Sequence, residues 1–436
     1  MKHILAIDIG SFETKALIAN YDKISSNLSI SGVGIAPSKG VRKGAITNID
    51  LASKSIKKAL NDAKRVAGVE ISNATVSISS AYTKSITSFG VINVPSNEIS
   101  IKEINRVIQI ALQTATIPSE YQVLQAIPYN FKVDELDEVE DPTGMSGSRL
   151  EVSLHIIIAL KSGIENLKKT FKLAGVKIDN IVSSAYASGL AVLKEDEKEL
   201  GVAVIDMGAT TSDIGFFVNS AFRYHSFLGV GSHHITNDLS IALHTPLSDA
   251  EYIKTHFEEI VFSGEPEIEV GIIGNEEEKQ KVPVKLIVDV VSARLEETFS
   301  LLNEKITTSG IRNKIGAGIV LTGGLTNFFN IKVLAEEFFE GLPVRIGTPK
   351  QIEGLFDNIK KPEFACVVGL IMYSTKENLT YEIDSNKEFR SKYIEENIFE
   401  EPPKKEEEEE VTFEITEDKE EPTLIQKIKT WVSNLF

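Results

Sequence analysis

The sequence predicts an α/β fold of two related domains around a cleft, and three short segments carry that prediction. Ala6-Ile7-Asp8-Ile9-Gly10-Ser11 and Val204-Ile205-Asp206-Met207-Gly208-Ala209-Thr210-Thr211 each set Asp-x-Gly after a short apolar run, about two hundred residues apart. Each has the make-up of a turn between paired strands, where Gly lets the backbone come close to a phosphate and N–H groups point at the anion. An Asp held at each strand end would face its counterpart. Two opposed carboxylates suit a hydrated Mg2+, which takes one or two carboxylates together with waters and substrate phosphates. In the third segment, Ile319-Val320-Leu321-Thr322-Gly323-Gly324-Leu325, a paired Gly follows a buried-strand pattern and precedes a helical stretch from Thr326 to Phe339. Such a turn passes the flat face of a base or ribose. Together the three predict a nucleotide clamped between the halves.

Length and composition agree. With 436 residues, 42% hydrophobic and 25% charged, the chain is too long for one core and should form at least two domains. A formal net charge of −17 argues against broad nucleic-acid binding, which needs clustered Lys and Arg. Cys366 is the single cysteine, so an internal disulfide and a thiolate metal cage are excluded and the cytoplasm is the simplest compartment. The opening apolar stretch reaches Asp8 too soon for a signal peptide, and no run approaches the ~20 residues that span a bilayer.

In order, Lys2 to Ile7 and Thr14 to Asn20 read as strands paired around the first turn, with a third at Leu28 to Gly34. Lys15 lies close enough to Gly10 to reach back to a phosphate. Ile56, Leu60, Ala63 and Ala67 repeat at a helical period within Ile49 to Val66, and Val69 to Ser79 returns to strand character. From about Tyr82 the pattern changes: strand at Ile86 to Val94, helix at Ile101 to Ala115, strands at Val123 to Val133 and Leu150 to Leu160. This reads as a compact inserted α+β module. In the second half, Gly201 to Ile205 and Ser212 to Val218 should pair around the second turn and Ala221 to Leu228 extend the sheet. Helices follow at Asn237 to Leu243, Asp249 to Glu259 and Val290 to Lys305. Adjacent His233 and His234 face different ways and have no His-x3-His partner, so metal ligation there is not expected.

The order and spacing of the three loops resemble the actin-like ATPase superfamily. The resemblance narrows with Pro142-Thr143-Gly144-Met145-Ser146-Gly147-Ser148-Arg149-Leu150, with Lys194 to Gly201 leading into the second loop, and with Thr245-Pro246-Leu247-Ser248-Asp249-Ala250-Glu251. These look like the FtsA family of bacterial division proteins, from about residue 1 to residue 380 and again in the tail. The resemblance implies an actin-like fold in which the module replaces actin's outer subdomain. Segments 1–81 and 163–195 would form the first core domain around the insert 82–162; 196–230 and 311–360 the second core, around an outer subdomain 231–310; and 361–384 would return to the first core.

It further implies a nucleotide site. Asp8 and Asp206 would hold Mg2+ through water. Gly10, Ser11 and Lys15, with Gly208, Ala209, Thr210 and Thr211, would hold the phosphates of ATP; Lys254 would contact the nucleoside; Gly323 and Gly324 would bound the adenosine. Relatives often carry a ribose-binding Glu two residues after Lys254, where this chain has His256, and Gly-Gly where it has Gly231-Ser232. The water-positioning Glu or Gln of actin-like ATPases aligns with Asn180, so slow or absent hydrolysis is expected. Arg294 falls in the helix that receives the C-terminal tail of FtsZ. Small residues in Ser183 to Leu190 and Phe364 to Tyr373 would let two connecting helices cross closely and hinge.

After about Tyr381 the composition changes again. Residues 385–421 are dominated by Glu and Lys, with Pro402-Pro403 and the run Glu406 to Glu410, an acidic linker that cannot bury enough apolar surface to fold. Within 422–436, Leu424, Ile425, Ile428, Trp431, Val432, Leu435 and Phe436 fall on one helical stripe beside Lys427 and Lys429. That is the composition of an interfacial membrane helix. One copy should bind reversibly, and copies on a filament would multiply the affinity. The reading is an ATP-binding, self-associating protein at the cytoplasmic face of the cell membrane, peripheral and at the division site, tethering FtsZ and meeting other division proteins, with no nucleic-acid partner. An actin-fold metabolite kinase, or the scaffold of a pilus or another membrane machine, is the alternative.

Overall fold

The computed structural model describes residues 2–354, 359–377 and 380–393. The first half opens with β1 (Lys2–Ile9), β2 (Glu13–Asp22) and β3 (Asn27–Pro37), a small hairpin of β4 (Val41–Arg42) and β5 (Ala45–Ile46), then α1 (Ile49–Ala67) and β6 (Asn73–Ile78). The Asn48 side chain accepts the Leu51 N–H at the start of α1, and Gly68 ends it in the left-handed region at φ 68°, the two signals that bound a helix. Gly32 and Gly34 let α1 lie on β3: a Cβ at Gly34 would stand 1.9 Å from the Ala59 carbonyl oxygen.

The insert comprises β7 (Thr83–Asn93), α2 (Ile101–Thr114), β8 (Tyr121–Val133), β9 (Leu136–Val139) and β10 (Arg149–Leu160). A capping box between Ser100 and Glu103 starts α2, which covers one face of the sheet with Ile104, Val107, Ile108 and Ala111. The chain returns to the first core through α3 (Lys161–Ala174), β11 (Lys177–Ser183) and the connecting helix α4 (Ser184–Val192), giving a core sheet in the order β3-β2-β1-β6-β11.

The second half begins with α5 (Glu195–Leu200), β12 (Val202–Met207), β13 (Ser212–Val218) and β14 (Ala221–Leu228). Its outer part holds α6 (Ser232–Leu243), α7 (Leu247–Thr255), α8 (Phe257–Phe262), the hairpin β15 (Glu267–Ile272) and β16 (Asn275–Pro283), and α9 (Val284–Thr308). Then come β17 (Ile319–Thr322), α10 (Ile331–Phe338), β18 (Val344–Ile346), the second connecting helix α11 (Ala365–Thr375), β19 (Glu382–Ile383) and β20 (Phe389–Arg390). The second sheet runs β14-β13-β12-β17-β18, strand for strand the order of the first. The expected duplication is therefore present in the topology.

Several boundaries differ from expectation. The helix expected over Asp249 to Glu259 is broken at His256, whose φ of −110° and ψ of 22° separate α7 from α8. The stretch after Gly324 starts as a 3-10 turn, and Asn330 at φ 54° interrupts it before α10. The linker does not begin at 385. β19 pairs with β8 and β20 with β19, completing the insert's sheet, while the Ser385 hydroxyl meets the Ile181 N–H at 2.9 Å and Asn180 at 3.1 Å. Buried Glu382 accepts from Gln125 (2.9 Å) and from the Tyr373 hydroxyl (2.7 Å), and Arg390 lies over the Tyr373 ring. These long-range contacts hold a segment whose composition reads as linker. The rest of the expected linker and the stripe from Leu424 to Phe436 lie outside the described residues.

α4 and α11 cross between the halves with backbone almost touching backbone, because a Cβ at Gly369 would fall 1.8 Å from the Ala187 carbonyl oxygen. The insert also clasps the second half. His155 Nδ1 donates to the Phe222 carbonyl at 3.0 Å, its Nε2 meets Ser85 at 2.7 Å, and Thr83 meets His225 Nε2 at 2.7 Å. Burial lowers the His155 pKa to about 4, so the ring is neutral and its single proton sits on Nδ1.

Candidate functional site

Strand register places the chemistry. In the β1–β2 ladder Asp8 stands opposite Lys15, and in β12–β13 Asp206 stands opposite Asp213. Directly opposed residues share a face. Each hairpin closes on its glycine: the Gly10 N–H donates to the Glu13 carbonyl at 3.0 Å and that of Gly208 to the Thr211 carbonyl at 2.8 Å. The N–H groups of Ser11, Phe12, Ala209 and Thr210 have no acceptor among the described residues. The two turns meet across a cavity of about 460 Å³ between the halves, where the Thr210 hydroxyl donates to Ser11 Oγ at 2.7 Å.

The cavity floor is acidic. Asp8 Oδ1 accepts the Ser77 hydroxyl at 2.6 Å, Asp206 Oδ2 that of Ser188 at 2.5 Å, and Asp213 the Ser184 hydroxyl at 2.6 Å and the Ser80 N–H at 3.2 Å. Burial, reinforced by Asp213 and Asp8, raises the Asp206 pKa to about 7 despite the Ser188 bond and Lys15. Burial likewise raises Asp213, with Asp8 adding to it. The Cys366 thiol, 3.4 Å from Asp8, is pushed well up by burial and these carboxylates. A cation would relieve that repulsion. Among the described residues no three acidic, cysteine or histidine side chains form a closed metal cage.

The roof comes from the outer subdomain and the third loop. Lys254 Nζ donates to Glu251 at 2.7 Å and the Thr236 hydroxyl donates to the same carboxylate at 2.6 Å; burial opposes ionisation of Glu251, but these two bonds prevail and hold its pKa low. Gly323 has φ 87°, and a Cβ there would meet Asp206 Oδ1 at 2.3 Å, so this glycine is required by the carboxylate as well as by any base. Gly231 comes equally close to the second turn: its Cβ would stand 2.4 Å from the Gly208 carbonyl oxygen. The close approach there falls on Gly231, and the Ser232 side chain does not prevent it.

Asp8, Gly10, Ser11, Lys15, Asp206, Gly208, Ala209, Thr211, Lys254, Gly323 and Gly324 all line this cavity. Thr210 does not, and acts instead as the clasp between turns. Arg294 lies elsewhere, on α9, paired with Asp238 and Glu297. Asn180 is a correction: it sits inside β11, bonded to Ser385, whereas the strand end delivers Ser184 to the cavity. His256 stacks on Tyr252 outside it, and the acidic group beside the roof is Glu251, three residues before Lys254. Asp213 was also missed; its signal was a polar Thr211-Ser212-Asp213 entry into the otherwise apolar strand Ile214 to Val218.

Residues 203–369 match the family model described as "Cell division protein FtsA", and residues 80–158 match "SHS2 domain inserted in FTSA". The chain is 37% identical over 414 residues to the cell division protein FtsA of Helicobacter pylori (strain ATCC 700392 / 26695), covering 88% of this chain and 84% of that one. It is 38% identical over 381 residues to that of Neisseria meningitidis serogroup B, covering 86% and 91%. Among solved structures, the PilM-PilN type IV pilus biogenesis complex superposes with a TM-score of 0.60 at 16% identity, over 85% of this chain and 98% of that one, a likeness of fold. With an SHS2 insert in its first domain and two topologically matched halves around one cleft, the protein has the actin-like ATPase fold and belongs to the FtsA cell division family.

Proposed function

We propose that this protein binds ATP with Mg2+, self-associates, and tethers FtsZ filaments to the inner face of the cytoplasmic membrane while the division ring assembles. One observation carries the nucleotide part: the two glycine turns bring unpaired N–H groups, Lys15 and three carboxylates, buried Asp213 and part-buried Asp8 and Asp206, to the same cavity. The bound Mg2+ would supply positive charge to the phosphates. Ser11, Phe12, Ala209 and Lys15 would then hold the polyphosphate, Asp8 and Asp206 the cation's waters, Lys254 and Glu251 the nucleoside, and Gly323-Gly324 one wall of the base site.

Asp213 is spent on Ser184 and Ser80, both halves of its carboxylate being engaged. It braces the cleft and is poorly placed to take a proton from a water or substrate. This supports a conformational role for ATP with slow turnover, over a metabolite kinase. Family membership supports FtsZ, further copies and later division proteins as partners, Arg294 being one contact to test.

Flotation with lipid vesicles and Mg-ATP tests the whole reading, comparing the full chain with one ending at Glu421 and imaging both fractions by electron microscopy. The expected result is filaments on lipid with the full chain alone. Two chains that behave alike with neither coating lipid refute the membrane role, and an FtsZ tail peptide that binds Arg294→Ala as tightly as wild type refutes that contact.

A further inference from the structure

The charge of this acidic protein is unevenly placed. Residues 35–66 carry eight basic and two acidic side chains, and residues 161–177 five and one, a net +10 within a chain of net −17. Those segments are the β4–β5 hairpin, α1 and α3. Helices α1 and α3 pack against each other, and α3 also touches β5, so the two basic segments form one surface.

Which way that surface faces follows from register. Gly34 of β3, which meets α1, pairs with Ala16; the next residue, Lys15, lies over Phe364, and its cross-strand partner Asp8 meets Cys366 at the start of α11. Adjacent residues of a strand point to opposite faces. The α1–α3 layer therefore covers the face of the first sheet away from the cleft. It is left with a broad outer side, about 28 Å along α1 at 1.5 Å per residue.

Lys54, Lys57 and Lys58 of α1 and Lys168, Lys169 and Lys172 of α3 are all exposed there. Only Lys168 of these six has an ion-pair partner among the described residues, Glu165 at 3.9 Å. Leu51, Val66 and Leu173, each between 41% and 59% exposed, lie among them, and the two segments present no exposed aromatic ring. Unpaired lysines interspersed with exposed aliphatic residues suit an anionic lipid surface. Stacking on nucleic-acid bases needs aromatic platforms, and specific phosphate forks are the work of Arg.

We propose that the outer face of α1 and α3 is a second, electrostatic membrane-contact surface, which rests on anionic lipid headgroups when the protein is at the bilayer. This deepens the membrane reading and depends on it. The surface would set how the body lies on the bilayer and make attachment sensitive to lipid charge and salt.

The test is flotation of the full chain with phosphatidylcholine vesicles made with and without phosphatidylglycerol. It uses wild type, K54E/K58E/K169E/K172E, and the control K279E/K281E/K285E/K305E on β16 and α9, with circular-dichroism melts to check that each folds. At about fivefold per surface lysine near an anionic bilayer, and with only part of the face engaged, the four reversals on α1 and α3 should weaken partitioning to phosphatidylglycerol vesicles by at least about tenfold. They should leave phosphatidylcholine binding unchanged, and high salt should erase the difference. Control and α1/α3 variants that fall equally, or an α1/α3 variant that matches wild type, would overturn the proposal while leaving the terminal-helix reading intact. If instead neither the full chain nor the chain ending at Glu421 floats with either vesicle, the membrane reading itself fails. Duplex DNA that displaces vesicles from wild type and does not bind the variant would assign the face to nucleic acid and overturn the lipid proposal.

Discussion

Replacing Gly369 by Ala tests the crossing of the connecting helices. The new Cβ would lie 1.8 Å from the Ala187 carbonyl oxygen and 2.4 Å from its carbon, whereas unstrained contact begins near 3.5 Å. The shortfall is about 1.7 Å. Neither partner can rotate away, since the Cβ is fixed directly to one main chain, the oxygen belongs to the other, and every residue of α4 from Ser184 to Val192 is buried. The helices must therefore part, loosening the packing on both sides of the crossing. Overpacking costs about 1–3 kcal/mol and occasionally more, and a clash between two main chains belongs at the top of that range, about 3 kcal/mol. At about 2 °C per kcal/mol for a chain longer than 150 residues, the melting temperature should fall by about 6 °C. Scanning calorimetry would compare it with Gly229→Ala, where a Cβ meets nothing within 4 Å. A Gly369→Ala protein melting within about 1 °C of that control would refute the argument that the close crossing is required.

Three further expectations concern the cleft and the end of the ordered chain. Because the Asp206 pKa is raised from 3.8 to about 7, the folded protein without nucleotide holds that proton more tightly than the unfolded chain does. Stability from this group is present at low pH and lost as pH climbs from about 4 through 7. Cation binding needs the carboxylate, so Mg-ATP affinity should rise over the upper part of that window with proton release. Calorimetric titration of wild type and Asp206→Asn in buffers of different ionisation enthalpy checks this, and identical proton release from both would contradict it. Thr210→Val removes the one side-chain hydrogen bond seen between the two turns among the described residues and should cost about 1 kcal/mol; unchanged thermal stability and Mg-ATP affinity would dismiss the clasp. Arg390→Met leaves buried Glu382 without its nearby cation and should cost about 3–5 kcal/mol in urea denaturation, whereas a true linker residue would cost nothing.

The hairpin turns were legible because their information is local. Asp-x-Gly after an apolar run fixes both the turn and the carboxylate at its mouth, and the repetition across the chain identified two halves. The insert was legible from its change of periodicity. What was hidden depends on distant partners. Asp213 looks like any polar residue entering a strand until Ser80 and Ser184 are brought to it. Residues 385–393 look like the tail that follows them, and it takes Gln125, far back in sequence, together with Tyr373 on α11 to give Glu382 a reason to be buried. Asn180 was misplaced by a few residues along β11, enough to exchange a cleft position for one beside Ser385. His256 lay too close to Lys254 for sequence to reveal that the helix ends between them.

The clasp between insert and second half has a consequence for how this architecture can vary. The insert's entry residue Ser80 donates its N–H to a cleft carboxylate, and Thr83, Ser85 and His155 meet or brace β14. The module is therefore not a cassette joined only at its two chain ends. Exchanging it between relatives would carry along one side of a buried interface whose other side is written in residues 213–225. Descent should treat the two as a single heritable unit, and a graft that respects only the chain junctions should fold yet lose the hydrogen bonds that tie the insert to the cleft and to β14.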